Sequence, residues 1–465
     1  MDTSSRFTDG RVPESAIRAL YRDEHRWQRW LEVEAALAQA EAELDIIPAA
    51  AAQAITRSAN LENLNIVRIH KGIRKTSHPL MALVSELTDA VGQPHGEWVH
   101  WGATTRNITQ TGDMLVLREA HEEFLYLLSG VFSALEQLAD AGAEMACAGR
   151  THGQHAVPVT FGFKVAAWID ELGRHLERLH QVEPRVFTAM IGGAVGNYAS
   201  FGRKGPQVQT RVAHNLGLRP MRVPYRATTD GMVEYLCVLG QLAGTAGKIA
   251  KEVFVLMQPE FGEAGEPVPS GTIGSSTMPH KRNPQLTDDC VAIAAQIRAL
   301  VPLALESMLH DHEVSGGYES MMDDAMRQAC VLTGDLLVRL QVILDGLELY
   351  PERMRANLSL TQGLITSEAT MLALGEKVGR QTAHEIVYEA AQAAASGDVT
   401  FKDALLADPR VTAHLDEAAL GRLLNPTADR GLSSFIAHDM AHRAHQWAAD
   451  LRRRGLEAPS AVSAP

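Results

Sequence analysis

Between Thr111 and Leu347 the chain repeats one pattern five times, with apolar residues three and four apart over about 25 to 30 residues at a stretch. The first segment, about Gly112 to Ala141, sets Leu117, Phe124, Leu128, Val131, Leu135 and Leu138 on one helical face. The second runs from about Val157 to Val182 and stops at Pro184. The other three cover about Asp230 to Met257, Gln285 to Leu309 and Glu319 to Leu347. Helices of this length span roughly 40 Å, too far for a small globular shell to cover. They must lie side by side in an extended bundle whose apolar faces exceed what one chain can bury. An all-α fold is expected, with association between copies covering the faces left over.

The flanks are helical too. Ile17 to Leu44 carries Leu20, Trp27, Leu31, Ala35 and Leu37 at helical spacing, and Ile47-Pro48 stops it. The pattern breaks near Pro351, shorter helices follow from about Gly363, and the Pro/Ala/Ser tail after Leu456 is expected to be disordered. Three helical domains result: 1–110, a central long-helix bundle at 111–362, and 363–465. Apolar residues make up 46% of the 465 but aromatics only 5%, which calls for an aliphatic, Ala-rich core of closely packed helices. A net charge of −13 offers no general attraction to nucleic acid or an anionic membrane. The local exception is a basic island of Arg68, His70, Lys71, Arg74 and Lys75, read as a solvated helix face with an anionic substrate as the alternative. Cys147, Cys237, Cys290 and Cys330 are widely spaced without a CxxC pair and read as reduced thiols. Residues Met1 to Asp9 hold no apolar signal core, and no run of about 18 apolar residues occurs, so a cytoplasmic protein is expected.

The chemistry is concentrated in loops. Gly274-Ser275-Ser276-Thr277-Met278-Pro279-His280-Lys281-Arg282-Asn283-Pro284 packs hydroxyls, a cation and an amide into one Gly/Pro-punctuated run. That inventory suits removal of a proton from carbon beside a carboxylate, where fixed donors such as Lys281 and Asn283 meet the charge that builds on the carboxylate. Ser275 or Ser276 can serve as base only if its surroundings activate it. The bland reading is an ordinary surface turn. His152 falls between two long helical segments with Thr151 and Gln154 beside it, and its titration range suits proton donation to a leaving group. Gly192-Gly193-Ala194-Val195-Gly196 lacks the flanking strand of a dinucleotide loop and reads as a helix connection near the active site. His438, His442 and His445 share a helical face, and His310-Asp311-His312-Glu313 clusters similarly; both are read as ordinary surface in preference to metal sites.

In its residue order the Gly274 to Pro284 run resembles the signature loop of the aspartase/fumarase superfamily, in the form seen in adenylosuccinate lyases and 3-carboxy-cis,cis-muconate cycloisomerases. Two more segments match in order: His100-Trp101-Gly102-Ala103-Thr104-Thr105-Arg106-Asn107 and Gly149-Arg150-Thr151-His152-Gly153-Gln154-His155. The resemblance implies a homotetramer in which three subunits supply one active site to a small dicarboxylate substrate, with no metal or organic cofactor. It makes Ser275 the base, His152 the acid, and Lys281 and Asn283 the carboxylate holders. Thr104, Thr105, Asn107, Thr151, Gln154, His78 and His100 are implied at the substrate.

Departures from the family pattern narrow the substrate. Asn107 stands where Asp is usual, and Asp288 where a Glu usually orients the acid histidine. Val314 to Met321 lacks the arginine that helps adenylosuccinate lyases to bind phosphate, while His152 stands where bacterial cycloisomerases commonly have Trp. The expectation is a lyase performing anti β-elimination on a small substituted succinate with release of fumarate, a carbon–nitrogen lyase on an N-substituted aspartate or nitrosuccinate. Adenylosuccinate lyase, the cycloisomerase and a non-enzymatic structural protein of the same fold are the alternatives.

Overall fold

A computed structural model of the protein describes residues 6–269, 272, 277, 278, 280–397 and 399–457. The chain opens with α1 (Ile17–Leu20), α2 (Asp23–Glu43), α3 (Ala49–Ser58), α4 (Ile66–Thr76) and α5 (Pro79–Val91). A break at Tyr21-Arg22 divides what periodicity reads as one helix from Ile17 to Leu44, and Asp23 and Glu24 then favour the exposed N–H groups of the new start. Next come α6 (Thr105–Ala141), β1 (Ala146–Thr151), β2 (Gln154–Thr160), α7 (Phe161–Val186), β3 (Thr188–Ala189), α8 (Gly205–Asn215), β4 (Arg219–Pro220) and α9 (Asp230–Leu256). After β5 (Ala264–Gly265) follow α10 (Gln285–Glu306), α11 (Gly316–Asp345), β6 (Glu348–Leu349) and α12 (Pro351–Leu358). The last part holds α13 (Ser367–Val378), α14 (Arg380–Ala395), α15 (Phe401–Ala407), α16 (Pro409–Thr412), α17 (Glu417–Leu423) and α18 (Ser433–Glu457). The described strands form three two-stranded pairs, so the fold is all-α as expected.

Helix α6 is the axis of the molecule. Its 37 residues correspond to about 55 Å, and it is buried on nearly every side by α2, α7, α11 and α18. Residue pairings fix the directions of its neighbours. Arg106 meets Asp323 and Gly130 lies under Gln341, so α11 runs parallel to α6. Lys164 meets Glu252 while Arg185 meets Glu234, so α7 and α9 are antiparallel. Gly240 lies against Val301 and Gly247 against Ala294, which makes α10 antiparallel to α9. One end of the bundle therefore gathers the starts of α6, α9 and α11, and the other gathers the starts of α7 and α10 with the end of α9.

Three expectations about boundaries change. Helix α6 starts at Thr105, about two turns before Gly112, because Asn107 Oδ1 accepts the Thr104 N–H at 3.1 Å and caps the extra turns. Val157 to Thr160 are strand, not helix: an apolar run this short does not reveal its period, and its β-branched residues pair across β1. Helix α7 also runs through Pro184 to Val186, with the Phe187 N–H returning to Glu183 O at 3.1 Å. At the α6/α7 corner Gly162 lies so close to Ala139 O that an added Cβ would sit 2.5 Å away.

A second core, built on Leu374, Ile386, Phe401, Leu405, Val411 and Leu420, lies within α13 to α17. Helix α18 leaves it and returns along α6, where His438 reaches Asp140 and Arg454 reaches Glu122. Residues 458–465 of the tail lie outside the described residues. Among the described residues no helix is long and apolar enough to cross a membrane.

Candidate active site

At the start of α6 the chain brings several of the candidate residues into one corner. His78 caps α5, its Nδ1 accepting the Met81 N–H at 3.2 Å, so in the neutral ring the proton belongs on Nε2. That Nε2 lies 3.3 Å from Thr105 Oγ1 on the first residue of α6. The corner thus sits where a helix N-terminus favours an anion. His100 follows with φ +61, a backbone region that His enters more readily than most residues. Its Nδ1 is 2.6 Å from Glu34 Oε1 on α2. Burial opposes charge on the ring and Glu34 outweighs it, so the His100 pKa stands above the ordinary imidazole value.

Asn107 is the exception among the residues expected at the substrate. It is fully buried, and its Oδ1 accepts N–H groups from both Thr104 and Gly193 at 3.1 Å. Its Oδ1 is thus engaged within the chain, while its Nδ2 is buried with no partner among the described residues. Asn107 ties the Gly192 to Gly196 loop to the α6 start, and Ser200 Oγ donates to Gly102 O to close the same corner. Arg106 turns away into a bidentate pair with Asp323 at 2.8 and 3.0 Å. Glu319 lies 3.5 Å from Arg106 and 3.3 Å from Arg226.

The second group of candidates lies at the opposite end. Thr151 and Gln154 pair across a two-residue turn whose residues, His152 and Gly153, have φ +51 and +76. Positive φ at both positions matches the twist of a tight hairpin, and it sets the exposed His152 side chain at the tip. Thr151 and Gln154 are exposed beside it. Behind them Arg150 donates to both oxygens of the buried Glu263 at 2.5 and 3.1 Å, and Asn357 Nδ2 donates to Glu263 Oε1 at 2.7 Å. The loop after β5 leaves from the same end. Its base is held by Glu266, which accepts the Leu286 and Thr287 N–H groups at 3.1 and 2.9 Å, and by Arg11, which donates to Pro267 O and Gln285 Oε1. Lys281 is exposed and Asn283 half-buried, while Ser275 lies outside the described residues. Asp288, in the first turn of α10, is exposed, and its pKa is raised by burial and by Asp289 against the pull of Lys251. No contact between Asp288 and His152 occurs within one chain among the described residues.

One chain therefore keeps His78, His100, Thr104 and Thr105 at one end of α6 and Thr151, His152, Gln154, Lys281 and Asn283 at the other, about 55 Å apart by the length of that helix. Among the described residues, no group of three His, Cys, Asp or Glu is placed to hold a metal ion. His438 and His445 instead pair with Asp140 and Glu136 on α6. In the basic island Arg68 pairs with Glu86 and Asp89, while Lys71, Arg74 and Lys75 are exposed. Sequence reading missed Glu34, Glu263, Glu266 and Arg11. For Glu34 a signal existed: a carboxylate set within the apolar stripe of Trp27, Trp30, Leu31 and Leu37 needs a partner.

Comparison with known proteins identifies this arrangement. A family model described as Lyase matches residues 9–299, and one described as Adenylosuccinate lyase C-terminus matches residues 363–438. The N-acetyl-S-(2-succino)cysteine lyase of Enterococcus italicus is 39% identical over 416 residues, 90% of this chain and 91% of that one. The adenylosuccinate lyase of Methanothermobacter thermautotrophicus is 36% identical over 436 residues, 93% of this chain and 97% of its own. The 3-carboxy-cis,cis-muconate lactonizing enzyme from Pseudomonas putida superposes with a TM-score of 0.85 at 33% identity, over 96% of this chain and all of that one. The chain belongs to the aspartase/fumarase superfamily. It is an enzyme, a lyase.

Proposed function

We propose that this lyase cleaves a small S- or N-substituted succinate by anti β-elimination and releases fumarate. The observation that carries the reading is the α6 start, where His78, His100, Thr104 and Thr105 surround a helix N-terminus suited to a carboxylate. Ser275 takes the β-proton, and the C–H electron pair passes into the neighbouring carboxylate as an aci-carboxylate held by Lys281 and Asn283. Collapse of that pair forms the C=C bond and breaks the bond to sulfur or nitrogen, while His152 gives a proton to the departing atom. The substrate carboxylate is the electron sink, so the step balances without a further reagent.

The geometry supports sharing between subunits. Groups about 55 Å apart along one helix serve one substrate only when copies pack with opposite ends together, and the homotetramer implied by the resemblance does this. The sequence pointed first to nitrogen as the leaving atom. The succinocysteine lyase relative widens this to sulfur. A nucleotide is disfavoured because Arg106 and Arg226, the cations beside the α11 start, are already paired with Asp323 and Glu319. An absorbance assay in the fumarate band tests this against N-acetyl-S-(2-succino)cysteine, N-substituted aspartates, nitrosuccinate, adenylosuccinate, argininosuccinate, malate and carboxymuconate. Fumarate is expected from the small S- or N-succinyl compounds; turnover of adenylosuccinate alone overturns the substrate class.

A further inference from the structure

We infer that Glu34 is a positioning residue that locks His100 as an imidazolium and aims its Nε2 at a substrate carboxylate. The inference rests on the fumarate-releasing reading above. The pair is built from inside the fold. Glu34 stands on the buried stripe of α2 with its side chain 1% exposed, and the 2.6 Å contact to His100 Nδ1 is the hydrogen bond its carboxylate has among the described residues. Its other oxygen, Oε2, is buried without a partner among the described residues. A carboxylate so enclosed is tolerated when its single partner carries the opposite charge.

The rest of the stripe agrees. Glu41 lies seven residues on, two turns along the same face, and both its oxygens are buried without partners among the described residues. Burial first, and Glu34 second, push its carboxyl up to about 9. With Glu41 holding its proton, the stripe leaves the Glu34 carboxylate facing His100 at 2.6 Å. The remaining titratable groups nearby are engaged elsewhere: His78 with Met81 N–H and Thr105, and Arg106 with Asp323 and Glu319.

The backbone around His100 is constrained. His100 sits at φ +61, and Gly102 at φ +70 lies so close to the Phe201 ring that a Cβ would meet it at 2.6 Å. Trp98 and Trp101 pack on each other with centroids 5.0 Å apart. With Nδ1 committed to Glu34, Nε2 is the free position of the ring, four residues ahead of Thr104. In the imidazolium form Nε2 is a charged donor; in the neutral form, with Nδ1–H held by Glu34, it is an acceptor that repels a carboxylate.

The test measures fumarate binding by calorimetry to the full-length enzyme at pH 6 and pH 8. The Kd of Glu34→Gln divided by that of the wild type should rise about tenfold across this range, because without Glu34 burial alone acts on the ring, which then loses its charge as the pH rises. Taking the ratio cancels His78 and His152, which both proteins share. Glu34→Asp, which keeps the charge, should recover part of the loss at pH 8, and Glu41→Gln should leave the ratio near one. A ratio for Glu34→Gln that does not change with pH assigns Glu34 a structural role and overturns the inference. If Glu34→Gln does not fold, His100→Gln takes its place: it should weaken fumarate about tenfold at pH 6, on the scale of one charge-assisted bond, and wild-type binding overturns the inference. Failure of the wild type to bind fumarate at all sinks the functional reading instead, so the two failures are distinct.

Discussion

The two ends of α6 solve the same problem in different ways. At its start each candidate side chain leans on a neighbour in the same chain: His100 on Glu34, His78 on Thr105, and Asn107 on Thr104 and Gly193. At the hairpin and the loop after β5, His152 and Lys281 stand exposed, and the order lies one layer behind them in Arg150–Glu263 and Glu266. The corner at the start of α6 is thus preorganised by folding. The hairpin end is hydrogen-bonded at its base and presents His152 and Lys281 outward, where another copy of the chain can complete the surroundings.

The largest expected effect breaks the hairpin end outright. Ser275→Ala should lose at least about a thousandfold in turnover, the scale of a single catalytic group, and near-normal rates remove Ser275 from the mechanism. Mixing sharpens the comparison. Thr105→Ala and Lys281→Ala damage opposite ends, so refolding the two inactive proteins together should restore activity at about a quarter of the sites if random assembly draws the ends from different subunits. No recovery, with mixed oligomers shown by mass spectrometry, argues that the ends do not share sites.

Smaller effects probe the supports. Glu263→Ala leaves the Arg150 guanidinium largely buried without its carboxylate and should cost about 3 to 5 kcal/mol in denaturant unfolding. A loss below about 1 kcal/mol would mean that the hairpin is held by packing alone. At the other end the sign of a pH effect is the test. Folded Glu41 keeps its proton up to about 9 whereas the unfolded chain releases it near 4.5, so this group's stabilisation is complete below 4.5 and is lost as pH rises to 9, by at most about 1.4 kcal/mol per unit. The melting temperature of Glu41→Gln relative to wild type should therefore be higher at pH 8 than at pH 5; a constant difference contradicts a protonated Glu41. The smallest effect belongs to Thr160, whose Oγ1 caps α7 by accepting the Phe163 N–H at 3.2 Å. Thr160→Ala should cost about 1 kcal/mol by thermal unfolding and leave turnover unchanged.

Legibility followed the range of the interactions. The long helices were readable because apolar spacing is local, and α9 begins at the expected Asp230 and α10 at the expected Gln285. The hairpin was not, since Val157 to Thr160 is too short to show a period and its partners lie on the other side of a turn. Thr104, Thr105, His78 and His100 were named from their segments, and the fold brings them to one helix start. The partner of His100 was out of reach, because Glu34 is 66 residues away and only the packing of α2 on the α6 start brings it close.

The sequence by itself determined the helical class, the succession of long helices and the three loops that carry reactive groups, because periodicity and residue chemistry are local properties. Tertiary structure alone decided which of those groups share an end of the bundle, that Asn107 is buried against the Gly193 loop, and that His100 meets a carboxylate from another helix. Burial, distance and pKa depend on what folds against a residue, and nothing within a few positions along the chain encodes them.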